Sequence, residues 1–402
     1  MSIMINNKKF KYNFLIIVFA GCLITLLSFG TRASFGLFLE PISSENNWGR
    51  DIFAFAIAFQ NLVWGIGQPI AGSIADRYGS AKVLAIGGII YAFGVGLMTI
   101  STNALSITFS AGFLVGIGIA GASFTIVLAA VAKIAPPEHR GWALGMVTAS
   151  GSLGQLLMVP LGQTLISSFD WHNSLLIMAV ITSCIVPFAL ILKTNKSKSA
   201  SSQSLSGAIS EAINHRGFLL LFSGFFVCGF HVAFIQTHLP AYLYDNLLQN
   251  STAAWSLALI GLFNIFGAYF SGIVGDKYSK KNLLSLIYFL RTLAILIFIL
   301  VPITEISTYI FAAVIGILWL STVPLTSGIV ANIFGTNYLG TLFGLVFFGH
   351  QLGAFFGVWL GGIIFDLTGS YNLMWWICCL LGIFASFVNI PINEKPLVRL
   401  NA

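Results

Sequence analysis

Residues 72–82 read GSIADRYGSAK, and residues 272–281, half the chain further on, read GIVGDKYSKK. Each copy follows a long apolar run and keeps a glycine, an aspartate with a basic neighbour, a tyrosine and a lysine. Further echoes lie at nearly the same offset: RGWALG at 140–145 with LGTLFG at 339–344, and Gly154 with Gly353. Correspondences at so nearly constant an offset predict that the chain contains an internal duplication.

The apolar runs around these motifs predict an all-α membrane protein. Of the 402 residues, 57% are hydrophobic and 8% are charged, and the mean hydropathy is +0.93, whereas about a quarter of a soluble domain is charged. Apolar runs of about twenty residues, the length with which a helix crosses a bilayer, predict twelve transmembrane helices. They lie near residues 14–39, 51–74, 82–101, 105–131, 141–166, 173–192, 217–244, 252–273, 283–303, 307–333, 341–364 and 371–391.

The basic residues predict the orientation of these helices and the boundary between two halves. Nearly all loop lysines and arginines fall on one side, with Arg50 alone opposite, and the positive-inside rule places that side and both termini in the cytoplasm. The Ser- and Lys-rich segment 194–216 is then a flexible cytoplasmic linker. It joins residues 1–193 to residues 217–402, two pseudo-symmetric six-helix bundles. We expect a monomeric, multi-pass protein of the plasma membrane, in a bacterium the inner membrane.

Several classes of function are excluded by the sequence. The five cysteines fall inside apolar runs without the spacing of metal ligands, and neither a nucleotide-binding loop nor a Ser/His/Asp constellation is present. We therefore expect no enzyme activity, no catalytic residues, no cofactor and no metal. The net charge of +7 resides in loops rather than on one soluble face, which argues against nucleic acid as a partner.

The ionisable residues inside the predicted helices are basic. Ionisable groups within the hydrocarbon are costly, so each one indicates a role. They are Arg32 in the first helix, His231 and His238 in the seventh, Arg291 in the ninth and His350 in the eleventh, whereas every Asp and Glu falls at a helix end or in a loop. A buried guanidinium is stabilised when a carboxylate arrives as its partner. The sequence therefore predicts a small organic anion as the substrate.

Mid-helix amides are further candidate ligands of the substrate. Gln60 and Asn61 lie in the second predicted helix, Asn264 in the eighth and Gln351 in the eleventh. Hydrogen bonds between helices are the alternative role for all four, and for His350.

The basic candidates also have structural alternatives. Arg32 is placed so that its long side chain can extend to the outer headgroups. A neutral His231 can hydrogen-bond within the bundle, and His238, close to Pro240, can cap a kinked helix. Each of these readings stays open at the level of the sequence.

With these motifs the chain resembles the major facilitator superfamily over essentially its whole length. The match rests on GxxxDRxG at 72–82, its degenerate copy at 272–281 and the Gly/Pro-rich fifth helix. Within the superfamily it resembles the monocarboxylate transporter branch, and its bacterial members in particular. The segments that carry this resemblance are TRASFGLFLEP at 31–41, WGR at 48–50, HLPAYL at 238–243 and HQLGA at 350–354.

The resemblance implies a translocation path lined by helices one, four, seven and ten. Arg32 and His231, which are 199 residues apart, would then lie on opposite walls. Helix nine would be peripheral, so Arg291 is expected to pair with backbone carbonyls or the Asp276 loop. The duplicated motif would form a conformational latch at cytoplasmic helix ends. Its residues are Gly72, Asp76, Arg77 and Lys82 in the first copy and Asp276 and Lys277 in the second.

One departure from the branch changes the expected coupling. Its animal members carry an Asp/Arg pair in the eighth helix, whereas Thr252 to Ile273 is uncharged here. A proton must then travel on a histidine, with His231 and His238 as candidates, or on the substrate carboxylate. We predict proton-coupled monocarboxylate symport by alternating access. The alternatives are an organic anion exchanger of the oxalate/formate type and a transporter-like receptor that binds its ligand without moving it.

Overall fold

The described residues form α-helices joined by short turns, without a β-strand among them. The structure is a computed structural model, and it describes residues 2–136, 139–193, 204–335 and 338–397. A 3₁₀ turn spans Phe35–Phe38 and a π-helical segment spans Thr108–Leu114. In chain order the helices are α1 (Ser2–Ala33), α2 (Leu39–Glu45), α3 (Arg50–Tyr78), α4 (Ser80–Met98), α5 (Ala104–Ile107), α6 (Val115–Gly121), α7 (Phe124–Ile134), α8 (Arg140–Ser183), α9 (Ile185–Ile191), α10 (Leu205–Ile213), α11 (Arg216–Asp245), α12 (Asn250–Lys277), α13 (Lys280–Leu300), α14 (Glu305–Leu318), α15 (Thr322–Phe334), α16 (Leu339–Thr368) and α17 (Asn372–Asn389).

The described part of the chain contains the twelve predicted membrane spans. Ten stretches are long and apolar enough to cross a membrane. The stretch Trp142–Ile191 provides two spans, because α8 is broken at Asp170, where φ is 68° and ψ is 174°. Helix α3 provides one more: its 29 residues suffice in length, although Gln60 and Asn61 make it less apolar. The predicted fold class, an all-α membrane protein, is confirmed.

The break in α8 is stabilised by the side chain of Asp170. Its Oδ1 accepts a hydrogen bond of 2.9 Å from the backbone N–H of Asn173, as an N-cap does at the start of a helix. The hydroxyl of Ser174 donates to the carbonyl of Asp170. The hydrogen bonds from Asn173 lower the pKa of the Asp170 carboxyl. The predicted helices 141–166 and 173–192 lie on either side of this break.

The contacts divide the chain into two compact units. The first unit contains residues 1–35 and 66–198, and the second contains residues 36–65 and 199–402. Helix α3 therefore contributes its first half to the second unit and its remainder to the first. Part of the predicted linker is helical: α10 begins after Ser204, whose hydroxyl accepts from the N–H of Gly207. Residues 194–203 of that linker lie outside the described part.

One helix crossing recurs in both units. In the first unit α1 packs on α8, and a Cβ atom at Gly154 would overlap the backbone carbonyl of Leu26. In the second unit α11 packs on α16, and a Cβ atom at Gly353 would overlap the carbonyl of Phe226. Glycine alone permits such a close approach of two helix backbones. The echo of Gly154 and Gly353 in the sequence thus marks equivalent crossings.

The span formed by α14 and α15 is interrupted inside the second unit. Helix α14 ends at Leu318 and α15 begins at Thr322. The N–H of Leu320, between them, donates a hydrogen bond of 2.9 Å to the Oδ1 atom of Asn264 on α12. Carbonyls at the end of α14 are left without partners in their own helix and become available to side chains. This break determines the position of the candidate site.

Candidate functional site

Arg291 on α13 places its guanidinium at the break between α14 and α15. The residue is 1% exposed. Its Nε donates to the carbonyl of Leu318 at 3.0 Å, and its Nη2 donates to the carbonyls of Leu318, at 2.6 Å, and of Trp319. The negative end of the α14 dipole therefore faces a buried cation. This agrees with the expectation that Arg291 pairs with backbone carbonyls.

The thiol of Cys228 on α11 is the next neighbour of this guanidinium. Arg291 Nη1 donates to Cys228 Sγ at 3.4 Å, and the hydroxyl of Thr322 shares a hydrogen bond of 3.2 Å with the same sulfur. The side chains of Tyr288 and His350 also interact with the thiol. Cys228 is buried, as are all four of its neighbours. Four helices thus converge on one sulfur atom.

His350 and Gln351 on α16 extend the site toward the first half of α3. The His350 ring stacks on Phe347, with centroids 5.5 Å apart, and Phe347 meets the indole of Trp64 at 5.4 Å. Gln351 is fully buried, and neither its Oε1 nor its Nε2 has a hydrogen-bond partner. His350 Nδ1 also lacks one. Unpaired polar atoms at buried positions are costly, so this surface is suited to bind a polar ligand.

Two of the other predicted amides form hydrogen bonds within the second unit. Asn61 Nδ2 donates to the carbonyl of Ile57, one turn earlier in α3, at 2.9 Å. Asn264 is the acceptor for the backbone N–H of Leu320. Gln60 is fully buried next to Asn61. Their proposed contacts with a substrate stay predictions.

The two histidines of α11 have different surroundings. His231 Nε2 lies 2.9 Å from the carbonyl of Cys378, which fixes the ring, while its Nδ1 has no hydrogen-bond partner. Both nitrogens of His238 are engaged, Nε2 with the carbonyl of Val358 at 2.8 Å and Nδ1 with the hydroxyl of Tyr371 at 3.0 Å. Because a carbonyl only accepts, Nε2 of each ring carries hydrogen. Their predicted role in proton coupling stays a prediction.

His238 is the inner end of a hydrogen-bonded chain that reaches the end of α11. Arg50 Nη1 donates to the Tyr371 hydroxyl at 3.3 Å, and the guanidinium of Arg50 binds the carboxylate of Asp245 through two bonds of 2.6 and 2.7 Å. Asp366 on α16 accepts the backbone N–H groups of Arg50 and Asp51. A carboxylate of one helix thus caps the start of another, α3.

Arg32 belongs to the first unit. It lies near the end of α1, half-buried, with its Nε inaccessible to solvent and its guanidinium close to Tyr91 of α4. Tyr91 in turn donates from its hydroxyl to the carbonyl of Ser28 on α1 at 3.1 Å. His231 belongs to the second unit, so the predicted pairing of Arg32 and His231 across the path stays a prediction.

The predicted latch residues lie at helix ends. In the first unit Arg77 and Lys82 are exposed and Gly72 is half-buried, whereas the side chain of Asp76 lies outside the described part. In the second unit Asp276 and Lys277 are exposed at the end of α12. Asp276 borders a small cleft that Lys280 and glycines 272, 275 and 328 also line. Their action as a latch stays a prediction.

Sequence reasoning missed Cys228, Tyr288 and Thr322. Each lies in an apolar run without a motif around it. The signal that was available was Arg291, because a buried arginine requires polar neighbours. The sequence did not show which helices supply them.

The described geometry is that of a multi-pass membrane protein with a polar, cation-bearing interior in its second unit. The model of the Major Facilitator Superfamily matches residues 21–358, and the chain belongs to this superfamily of secondary transporters. It is 25% identical over 381 residues to the uncharacterized MFS-type transporter YcxA of Bacillus subtilis (strain 168), covering 90% of this chain and 91% of YcxA.

Two further comparisons concern the branch of the superfamily and the fold of the chain. Over 363 residues the chain is 25% identical to monocarboxylate transporter 13 of Bos taurus, with 86% of this chain and 81% of the relative covered. The crystal structure of a D-xylose-proton symporter is similar in fold, with a TM-score of 0.73 at 14% identity, and the match covers 95% of this chain and 99% of that one. The fold predicted from the sequence is thereby confirmed.

Proposed function

We propose that this secondary transporter moves a small monocarboxylate together with a proton by alternating access. The observation that carries the proposal is the sign of the buried charge. Among the described side chains, those that are buried include Arg291, His231, His238 and His350 but no Asp, Glu or Lys. A cationic interior without acidic partners favours an anionic guest over a cationic one.

The positive sign of the buried charge also favours a proton as the coupling ion. A monocarboxylate and a proton together carry no net charge, so their joint transfer adds no charge to a low-dielectric interior. Imidazole groups are able to take up a proton at physiological pH. The name of monocarboxylate transporter 13, a relative at 25% identity, supports the substrate class.

The ligands we favour are Gln351 and His350 in the second unit and Arg32 in the first. Gln351 offers a buried donor and a buried acceptor that no described group uses. Arg32 supplies a guanidinium of the type that binds a carboxylate through two hydrogen bonds. His231, Gln60, Asn61 and Asn264 complete the proposed set of substrate contacts.

The test is uptake of radiolabelled lactate by proteoliposomes that carry the purified protein. With an acidic exterior we expect accumulation, and a protonophore that collapses the gradient should abolish it. Uptake unchanged by the protonophore would contradict proton coupling. Exchange of internal for external lactate without net uptake would instead identify an anion exchanger.

A matched pair of variants tests the anion site. Arg32→Gln should abolish the thermal stabilisation of the purified protein by lactate, because the guanidinium that would pair with the carboxylate is gone. Arg216→Gln, which removes an exposed arginine at the start of α11, should retain it. Equal stabilisation in both variants would remove Arg32 from the site.

A further inference from the structure

The cluster around Cys228 contains a buried cation without an acidic partner. Among the described residues Arg291 donates to backbone carbonyls and to a sulfur but to no carboxylate. Its compensation comes from the carbonyls of Leu318 and Trp319 and from the sulfur of Cys228. A guanidinium at hydrogen-bonding distance from a thiol favours the thiolate. Arg291 and a Cys228 thiolate would together be neutral.

The imidazole of His350 lies near the same sulfur. It interacts with the thiol and is held in place by stacking on Phe347. The residue is 8% exposed, and its Nδ1 has no hydrogen-bond partner. A buried nitrogen without a partner is unfavourable in a histidine with a purely structural role, so this ring is suited to bind a further polar group.

The groups that face Cys228 are few. Helix α13 contributes Arg291 and Tyr288, α15 contributes the hydroxyl of Thr322, and α16 contributes His350. On α11 itself His231 follows by three residues and is bonded to the carbonyl of Cys378 on α17. Asn264 of α12 is bonded to Leu320. No described carboxylate is among these neighbours.

We propose that Cys228 holds the transported proton, with Arg291 as the fixed counter-charge and His350 as a neighbouring polar group. This inference rests on the proposed proton symport and specifies its coupling site. Uptake of one proton converts the Cys228 thiolate into the thiol, and no other bond changes. The cluster of Arg291 and Cys228 then has a net charge of one when Cys228 is protonated and of zero when it is deprotonated. A carboxylate is therefore attracted to the protonated cluster, which couples the two fluxes.

The protonation state of Cys228 is observable without any substrate. In a variant whose other cysteines, at positions 22, 184, 378 and 379, are replaced by serine, the infrared S–H stretching band reports Cys228 alone. Between about pH 5 and pH 9 we expect this band to disappear as the pH rises. The His350→Gln variant should shift the midpoint, and Arg291→Gln should keep the band at every pH.

Cys378 provides the matched control. It is as buried as Cys228, and no guanidinium is bonded to its sulfur in the described structure. A variant with Cys378 as its single cysteine should keep the S–H band throughout. A Cys228 band that persists at every pH, or that changes in the same way as the Cys378 band, would overturn the proposal.

Transport by otherwise native protein provides a second test, independent of the cysteine-depleted background. Cys228→Ser keeps a hydroxyl for hydrogen bonding but removes the titrating thiol, so gradient-driven accumulation of lactate should be lost while lactate exchange continues. Cys228→Asp should restore accumulation, because a carboxyl also binds one proton. Accumulation by Cys228→Ser at the native level would refute the proposal. Should the native protein not transport lactate at all, the infrared titration still decides whether Cys228 binds a proton.

Discussion

The helix crossing that recurs in both units gives a prediction about stability, and the chain contains matched control positions for it. Gly353 on α16 lies against the carbonyl of Phe226, whereas at Gly344, nine residues earlier on the same helix, a Cβ would meet nothing within 4 Å apart from the adjacent backbone of its own helix. The first unit repeats the contrast on α8, with Gly154 against Leu26 and Gly145 open. Alanine at the two kinds of position should therefore have opposite effects.

The magnitudes follow from the backbone contacts. At Gly353 the added methyl group meets a backbone carbonyl, which a rotamer change cannot move, so the two helices must separate at a cost of about 1–3 kcal/mol. At Gly344 alanine meets nothing and gains about 0.5–1 kcal/mol through its higher helix propensity. The free energies of unfolding of the two variants should thus differ by about 1.5–4 kcal/mol.

The assay is thermal unfolding of the purified protein in detergent, followed for Gly353→Ala, Gly344→Ala, Gly154→Ala and Gly145→Ala. The variants at 353 and 154 should melt below the native protein, and those at 344 and 145 should melt at or above it. This measurement of stability does not depend on transport activity. Equal melting temperatures for Gly353→Ala and Gly344→Ala would refute the close crossing of α11 and α16.

Three further predictions concern the ends of helices. Asp170→Ala should lower the free energy of unfolding by about 1 kcal/mol, because the cap of the second part of α8 is lost. Asp170→Asn keeps an acceptor and should lower this free energy by less. Equal melting temperatures of the two variants would count against the cap. Asp366→Ala removes the acceptor for two N–H groups of α3 and should lower the free energy of unfolding by about 1–2 kcal/mol in the same assay. Asp366→Asn is its control, and native-like melting of Asp366→Ala would show that α3 needs no cap. For Arg50 and Asp245, a double-mutant cycle with alanine should give a coupling energy of about 1 kcal/mol, which high salt should reduce. A coupling energy of zero at low salt would mean that the bidentate pair does not stabilise the protein.

The sequence predicted those features that depend on local pattern. Apolar runs gave the spans, the polar stretch near Asp170 separated the fifth from the sixth, and the repeat offset identified Gly154 and Gly353 as equivalent. It did not predict that residues 36–65 pack with the second unit, because a hydrophobic period indicates that a helix has a buried face but not which neighbour covers it. The partnership of Arg50 with Asp245, 195 residues apart, was unpredictable for the same reason.

The cluster around Cys228 shows why a helix at the edge of a bundle can still supply an interior charge. The expected peripheral position of helix nine implies a structural role for Arg291. Its side chain, however, extends to the broken span of α14 and α15, where the free carbonyls of Leu318 and Trp319 hold the guanidinium, and its Nη1 still reaches Cys228. Without the break those carbonyls would be bonded within a continuous helix, and the cation would have no place beside the thiol. The interruption of one span and the arginine of another thus depend on each other, and Arg291→Lys, which lacks the planar fork, should lose the contact with Cys228 even though the positive charge remains.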